Sequence, residues 1–303
     1  MKKILTLLLS LGLLSISYAQ NDLESRIARI ENGLMKSLQI KGEKPQTFNI
    51  NERLKESNIP ALSVAFVSNG KIEWARAYGV ADRSQNRSNT NETLFLAGSI
   101  SKPVAALRAH QLVEKGKLSL DGNVNDYLSS WKLPDNEFTA KEKVTLRRIL
   151  NHTAGLTVWG FPGYDKGDKI PTVQEVLDGK GNTDSVRVYK EPGKSWMYSG
   201  GGYTIMQLMV QEASGTSFPE TMQANILDKM NMRKSTFENP LPEKYHAIAA
   251  TGYRGNGQEV EGKWPIYTEM AAAGLWTTPS QLIQYAIEVQ QINSSKKDGI
   301  LKY

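Results

Sequence analysis

The sequence predicts an α+β fold in which an antiparallel sheet is flanked by helices, and three observations carry that prediction. Two β-rich runs, Ala61 to Val67 and Lys71 to Tyr78, flank Asn69-Gly70, the strongest short-range signal for a hairpin. Most of the remaining chain reads as helices and loops, with capping-box patterns ahead of several apolar runs. A lone two-stranded hairpin is marginal in water, so further strands must pair with it. The sequence after Tyr78 offers no comparably clear candidate for them.

Taken in order, Met1-Lys2-Lys3 and the apolar run Ile4 to Leu14 read as the first two parts of an export signal, residues 1–19. Ser17-Tyr18-Ala19 supplies small residues suited to cleavage after Ala19. The run is too short to span a bilayer comfortably, and no later run approaches the needed length. The expectation is therefore a bacterial protein exported to the periplasm or secreted, with no membrane span after signal removal. Residues 20–44 read as an N-terminal helix and linker, and 45–303 as one domain. Leu23, Ile27, Ile30, Leu34 and Leu38 at helical spacing predict an amphipathic helix over 22–39, followed by a linker over 40–50. After the hairpin, residues 82–92 are a polar loop. Val104, Leu107, Leu112 and Val113 form an apolar stripe on a helical segment, Val104 to Leu118, with Gly116 as its stop. Thr172-x-x-Glu175, Ser217-x-x-Glu220 and Thr278-Pro279-x-Gln281 predict helix starts. One helix is expected from about Tyr203 to Ala213, stopping at Gly215. Another runs from about Pro279 to Ile292, and residues 293–303 fade into a polar end.

Composition removes several function classes. The formal charge is +6, or +4 once Lys2 and Lys3 leave with the signal. The cations are interspersed with 31 acidic residues, with no basic helix or basic–aromatic alternation, so nucleic acid is not an expected partner. The chain has no cysteine, which rules out disulfides and a lipid-modified cysteine anchor. Three scattered histidines without a His-Glu-x-x-His make a catalytic zinc site improbable. Gly193-Lys194-Ser195 lacks the glycine five positions upstream, where Val188 stands, so it is not a phosphate loop. No serine lies in a Gly-x-Ser-x-Gly elbow. No metal or cofactor is expected.

What remains is a serine and a lysine. Residues three apart on a helix share a face, so Ser99 and Lys102 place a hydroxyl beside an amine able to take its proton. The spacing alone is weak, since a chain of this length holds about one Ser-x-x-Lys by chance and this one has four. Ser68/Lys71 flank the hairpin turn, Ser129/Lys132 precede Leu133-Pro134, and Ser294/Lys297 lie in a polar stretch. Only Ser99 is followed by an amphipathic helix. The alternative for Ser99 is a helix cap, a role serine favours. Two further segments are suggestive. Trp196 to Tyr203 places Tyr198 at a glycine-rich turn before a helix, where its hydroxyl enters a cleft or is merely satisfied in the interior. His152, in Leu150 to Leu156, reads by itself as a loop-stabilising hydrogen-bonding residue rather than a base.

Together these segments resemble one family. Ser99-Ile100-Ser101-Lys102, Asn151-His152-Thr153-Ala154-Gly155-Leu156, the run Glu191 to Tyr203 and Ala272-Ala273-Gly274-Leu275-Trp276-Thr277-Thr278-Pro279 occur in the order seen in the serine β-lactamase and penicillin-binding protein superfamily. The chain is most similar to its branch of class C β-lactamases, low-molecular-weight penicillin-binding proteins and related esterases, over about residues 45–292. The resemblance implies an α/β sandwich of the β-lactamase/transpeptidase type beside a mainly helical subdomain. It implies Ser99 as the nucleophile that forms an acyl-enzyme, Lys102 as the group that helps remove its proton, and Tyr198 as a proton relay. It implies a small-molecule or peptidoglycan-peptide substrate with an amide, ester or β-lactam carbonyl. Two departures qualify it. The family's Tyr-x-Asn is Tyr198-Ser199-Gly200 here, which speaks against efficient β-lactam hydrolysis. No Lys-Thr-Gly or His-x-Gly follows Trp276, so the expectation is a chain truncated before its last sheet strands and crippled in catalysis. The rival reading is a non-catalytic envelope protein that binds peptidoglycan peptides or a partner.

Overall fold

A computed structural model describes residues 22–303; the export signal read in residues 1–19 lies outside the described residues. The chain divides into two units, Met1–Leu62 and Ser63–Tyr303. In the first, the predicted 22–39 helix is shorter than expected: α1 covers residues 22–31. The Gly33 N–H reaches back to the Ile30 carbonyl and the Asn32 amide to that of Ala28, so Asn32-Gly33 stops the helix despite the apolar periodicity beyond it. Leu34–Met35 (β1) instead pairs antiparallel with Thr47–Phe48 (β2), inside the expected linker. Leu38, counted into the apolar stripe, is 78% exposed. The helix α2, Ile50–Glu56, follows, capped by Asn49, whose side chain accepts the Asn51 N–H.

The hairpin forms where it is predicted, as β3 (Ala61–Ser68) and β4 (Lys71–Asp82). Asn69 at φ 51 and Gly70 at φ 70 supply the two left-handed residues that a type I′ turn requires. Of the further strands expected to pair with the hairpin, the described residues supply one, too short to show a period. Arg87–Ser88 (β5), within the predicted loop, pairs antiparallel with the end of β4 and makes a three-stranded sheet. Phe95–Leu96 (β6) pairs antiparallel with Trp276–Thr277 (β7). This two-stranded ribbon matters most for the site. It fastens Phe95–Leu96, just before Ser99, to Trp276–Thr277, about 180 positions later.

The helices of this unit are α3 (Ser101–Glu114), α4 (Leu146–Leu150), α5 (Val173–Leu177), α6 (Gly200–Ser214), α7 (Phe218–Met222), α8 (Met270–Ala273) and α9 (Pro279–Ser295). Complete capping boxes open α5 at Thr172 and α7 at Ser217. At α9 only half the box forms. Thr278 caps the helix, but the Gln281 side chain turns away to accept from the Lys234 N–H and the Ser235 hydroxyl. Beyond α9 the chain does not fade: Ile300 and Leu301 pack on the main core, and the Ile300 carbonyl accepts from the Gln111 amide.

The main core is built around α6, buried from Gly200 to Val210, with Ile205, Met206 and Met209 packed among Val104, Leu107 and Leu112 of α3. A smaller cluster joins Leu94, Leu241, Ala249 and Trp276. The helix α6 starts three residues earlier than the sequence predicts, inside its glycine run. The reason is close approach. A Cβ on Gly201 would stand 2.7 Å from the Val186 side chain and 3.1 Å from the Thr157 carbonyl, so only glycine lets these segments lie against the first turn. Gly201→Ala is expected to destabilise the protein by about 1–3 kcal/mol, as overpacking does, read as a lower urea midpoint with an unchanged slope.

Candidate active site

Ser99 sits on a 3-10 turn, Gly98–Ile100, that leads into α3, with Gly98 in the left-handed region at φ 54. Its hydroxyl does not cap the helix. No side-chain cap bond is present at the start of either the turn or α3, which sets aside the cap reading. The Ser99 Oγ instead accepts hydrogen bonds from Lys102 Nζ at 3.1 Å and from the Tyr198 hydroxyl at 2.9 Å. The three residues singled out in the sequence are therefore brought together on one oxygen, two by helical spacing and the third across 99 positions.

Lys102 is 5% exposed. It donates a second bond, 2.8 Å, to the Ala272 carbonyl at the end of α8, and its Nζ lies over the rings of Tyr198 and Tyr203 at 5.0 and 5.7 Å. No carboxylate is among these contacts. Burial pushes the Lys102 ammonium below its ordinary value, only partly opposed by Tyr198 beside it. The Ala272 carbonyl is held in place by the chain around it. The Ala97 N–H donates to the Leu275 carbonyl, and the Leu275 N–H donates to the buried Ser101 hydroxyl.

Tyr198 is positioned by packing. The His152 ring lies against it, tilted by 31° with ring centroids 4.4 Å apart, and Trp159 and Trp196 flank it at 5.5 and 6.4 Å. His152 Nδ1 accepts the Ser199 N–H at 3.2 Å, and its carbonyl accepts that of Met197. Burial, and then the charge of Lys102, lowers its pKa, and with its Nδ1 on the Ser199 N–H the ring braces the tyrosine segment. The expected departure at Gly200 has a structural counterpart. The Gly200 N–H donates to the Trp159 carbonyl at 3.0 Å, and a Cβ there would lie 3.1 Å from both that carbonyl oxygen and the Phe161 ring. The loop that carries Trp159 and Phe161 thus closes over the glycine.

The sequence reading missed several residues that shape this site: Ser101, the Ala272 carbonyl, Trp159, Phe161 and Tyr267. A carbonyl leaves no trace in a side-chain pattern. The run Trp159-Gly160-Phe161-Pro162-Gly163-Tyr164 did carry a usable signal, since aromatics interleaved with Gly and Pro mark a loop shaped around a cleft. Among the described residues, no group of three His, Asp or Glu side chains gathers as a metal ion would need. No described helix is long and apolar enough to cross a membrane.

Against known proteins, the sequence model described as Beta-lactamase matches residues 47–301. Similar curated proteins include Penicillin-binding protein 4* of Bacillus subtilis (strain 168), 30% identical over 180 residues, which cover 58% of this chain and 38% of that protein. Esterase EstB of Burkholderia gladioli is 29% identical over 202 residues, 64% and 51% of the two chains. Teichoic acid D-alanine hydrolase of Staphylococcus aureus is 24% identical over 246 residues, 79% and 57%. The alignments thus span between 38% and 57% of these relatives' lengths. Among solved structures, the octameric penicillin-binding protein homologue from Pyrococcus abyssi superposes with a TM-score of 0.66 at 24% identity, over 83% of this chain and 56% of that one. That likeness supports the mixed helix and antiparallel-sheet architecture.

Proposed function

We propose that this chain, which belongs to the Beta-lactamase family, is a serine hydrolase that cleaves an amide, ester or β-lactam carbonyl through an acyl-enzyme on Ser99. The observation that carries this reading is the pair of donors converging on the Ser99 Oγ, one from a buried lysine without a carboxylate partner and one from a tyrosine. Such an arrangement has little structural use, because a buried lysine without a counter-charge costs stability. It has a chemical use, because burial raises the fraction of neutral amine available as a base.

In acylation the Ser99 Oγ bonds to the carbonyl carbon and its proton passes to the Lys102 amine. The backbone N–H of Ser99, at the start of its turn, donates to the oxyanion. The leaving atom takes a proton from the Tyr198 hydroxyl as its bond to carbon breaks. Tyr198 recovers a proton from the Lys102 ammonium, which leaves Lys102 neutral and Ser99 esterified. In deacylation, water loses a proton through the same pair and attacks the ester, and the Ser99 Oγ departs with that proton. The substrate is a D-alanyl peptide, a simple ester or a β-lactam. These alternatives are supported by the relatives' names, penicillin-binding protein, esterase and D-alanine hydrolase. Those names also support an envelope location for this protein.

The reading is tested by incubating the protein with a fluorophosphonate and measuring intact mass. One adduct per chain is expected, mapped by peptide fragmentation to Ser99. No adduct, or an adduct on another serine, overturns the hydrolase reading in favour of an envelope protein that binds without turnover.

A further inference from the structure

A cavity of about 380 Å³ opens beside Ser99 and Lys102. Its walls are Trp159, Phe161, Pro162, Tyr267, Ala272 and Ala273, with Gly98 and Gly160 completing the lining. Lys102 is the one charged side chain that lines it, and burial disfavours that charge. The Tyr267 hydroxyl is turned to the Pro162 carbonyl, so its ring rather than a free donor contributes to the wall. Tyr198 is not part of the lining.

The aromatic wall is built with some rigidity. Val158, a β-branched residue, is held in the left-handed region at φ 61, a conformation that costs roughly 1–3 kcal/mol and persists only where the surroundings over-determine it. Those surroundings are on hand. The Ser199 hydroxyl donates to the Thr157 carbonyl at 2.8 Å, the Gly201 N–H to Val158 and the Gly200 N–H to Trp159. Three hydrogen bonds from the start of α6 thus anchor the loop. The absent side chain at Gly200 is what leaves room for the Phe161 ring.

From this we infer that residues 158–162 are a specificity determinant: they make an apolar slot for the acyl side of the substrate, suited to an uncharged aryl or short alkyl group. The inference rests on the proposed acyl-enzyme chemistry. Tyr198 protonates the leaving atom, so the leaving group is placed on the Tyr198 side of Ser99 and the acyl group on the side walled by Phe161, Tyr267 and Ala273. The volume falls at the small end of ligand pockets and fits one ring or a short chain. An acyl group bearing an ammonium finds no counter-charge on this wall and loses its hydration, and a carboxylate meets no side chain there other than that of Lys102, already bonded to Ser99 and the Ala272 carbonyl.

The test compares p-nitrophenyl acetate, phenylacetate, D-alaninate and monosuccinate as substrates of the same protein. Burying one phenyl ring predicts a kcat/KM for phenylacetate about 10- to 100-fold above acetate, with D-alaninate and monosuccinate at or below acetate. Phe161→Ala is expected to remove most of the phenylacetate advantage, read as the ratio of the two kcat/KM values within the same variant. If that variant does not fold, Phe161→Leu, which shortens this wall without emptying it, carries the same within-variant ratio. A charged acyl group turned over faster than phenylacetate overturns the inference, as does a phenylacetate-to-acetate ratio unchanged in the folded variant. The fluorophosphonate adduct separates the two layers. With Ser99 labelled, such results remove the acyl slot alone; with Ser99 unlabelled, the hydrolase reading and the slot fall together.

Discussion

Ser99→Ala is expected to reduce hydrolysis of an activated ester to the uncatalysed background, to abolish the fluorophosphonate adduct, and to leave the fold unchanged. The size follows from the role. Without Oγ there is no covalent intermediate, and the base and relay have no proton to move, so the residues fail as a unit. The intact fold follows from position. Ser99 is exposed, caps no helix, and its loss leaves Lys102 bonded to the Ala272 carbonyl. Surface changes of this kind fall within about 0.5 kcal/mol. Urea unfolding should therefore superpose on wild type while turnover is lost. A variant that stays active, or loses activity only because it unfolds, sinks the assignment of Ser99 as nucleophile.

Lys102→Met is the second large effect, and it is read twice. Loss of a positioned base costs about 10²–10⁴ in rate, and the rising limb of log kcat/KM against pH, set by deprotonation of Lys102, should vanish with it. The second readout is stability. Because burial lowers the Lys102 value in the fold below its ordinary 10.5, the unfolded chain binds more protons than the folded one between the two values. Stability then rises with pH across that window. Below the window the full cost of burying an ammonium is present; above 10.5 it is gone. Methionine has no proton to bind. The stability of wild type relative to Lys102→Met should therefore grow as pH rises toward 10.5 and then level off. A difference that is flat, or that shrinks with rising pH, contradicts a depressed lysine.

Both predictions concern residues already visible in the sequence, whereas the slot beside them was not. Ser99 and Lys102 were legible because their contact is local. Four Ser-x-x-Lys spacings exist, and only the one followed by an amphipathic helix places both groups on a rigid turn. The hairpin, the Thr172 and Ser217 caps and the Gly215 stop were legible for the same reason: each is decided within about four residues by backbone geometry. Where a local signal competed with a periodic one, the local signal won. Asn32-Gly33 ended α1 although Leu34 and Leu38 kept the helical spacing. The glycine run before Tyr203 misled in the opposite direction. It reads as a turn, yet it is the first turn of α6, because the neighbours of Gly200 and Gly201 leave no room for side chains.

The two-residue strands β5, β6 and β7 were illegible, since no period can be seen in two residues and their pairing is entirely long-range. The same holds for the chemistry that makes the serine–lysine pair meaningful. The sequence by itself determined the hairpin, the capped helices and one hydroxyl beside one amine. The tertiary structure decided the rest: that Tyr198 reaches Ser99 across 99 residues, that the Ala272 carbonyl reaches Lys102 across 170, and that Phe161 rather than a polar side chain fills the space over Gly200. Contacts between distant segments cost loop-closure entropy that no single contact offsets. They form only because the core around α6 buries enough apolar surface to hold those segments in place.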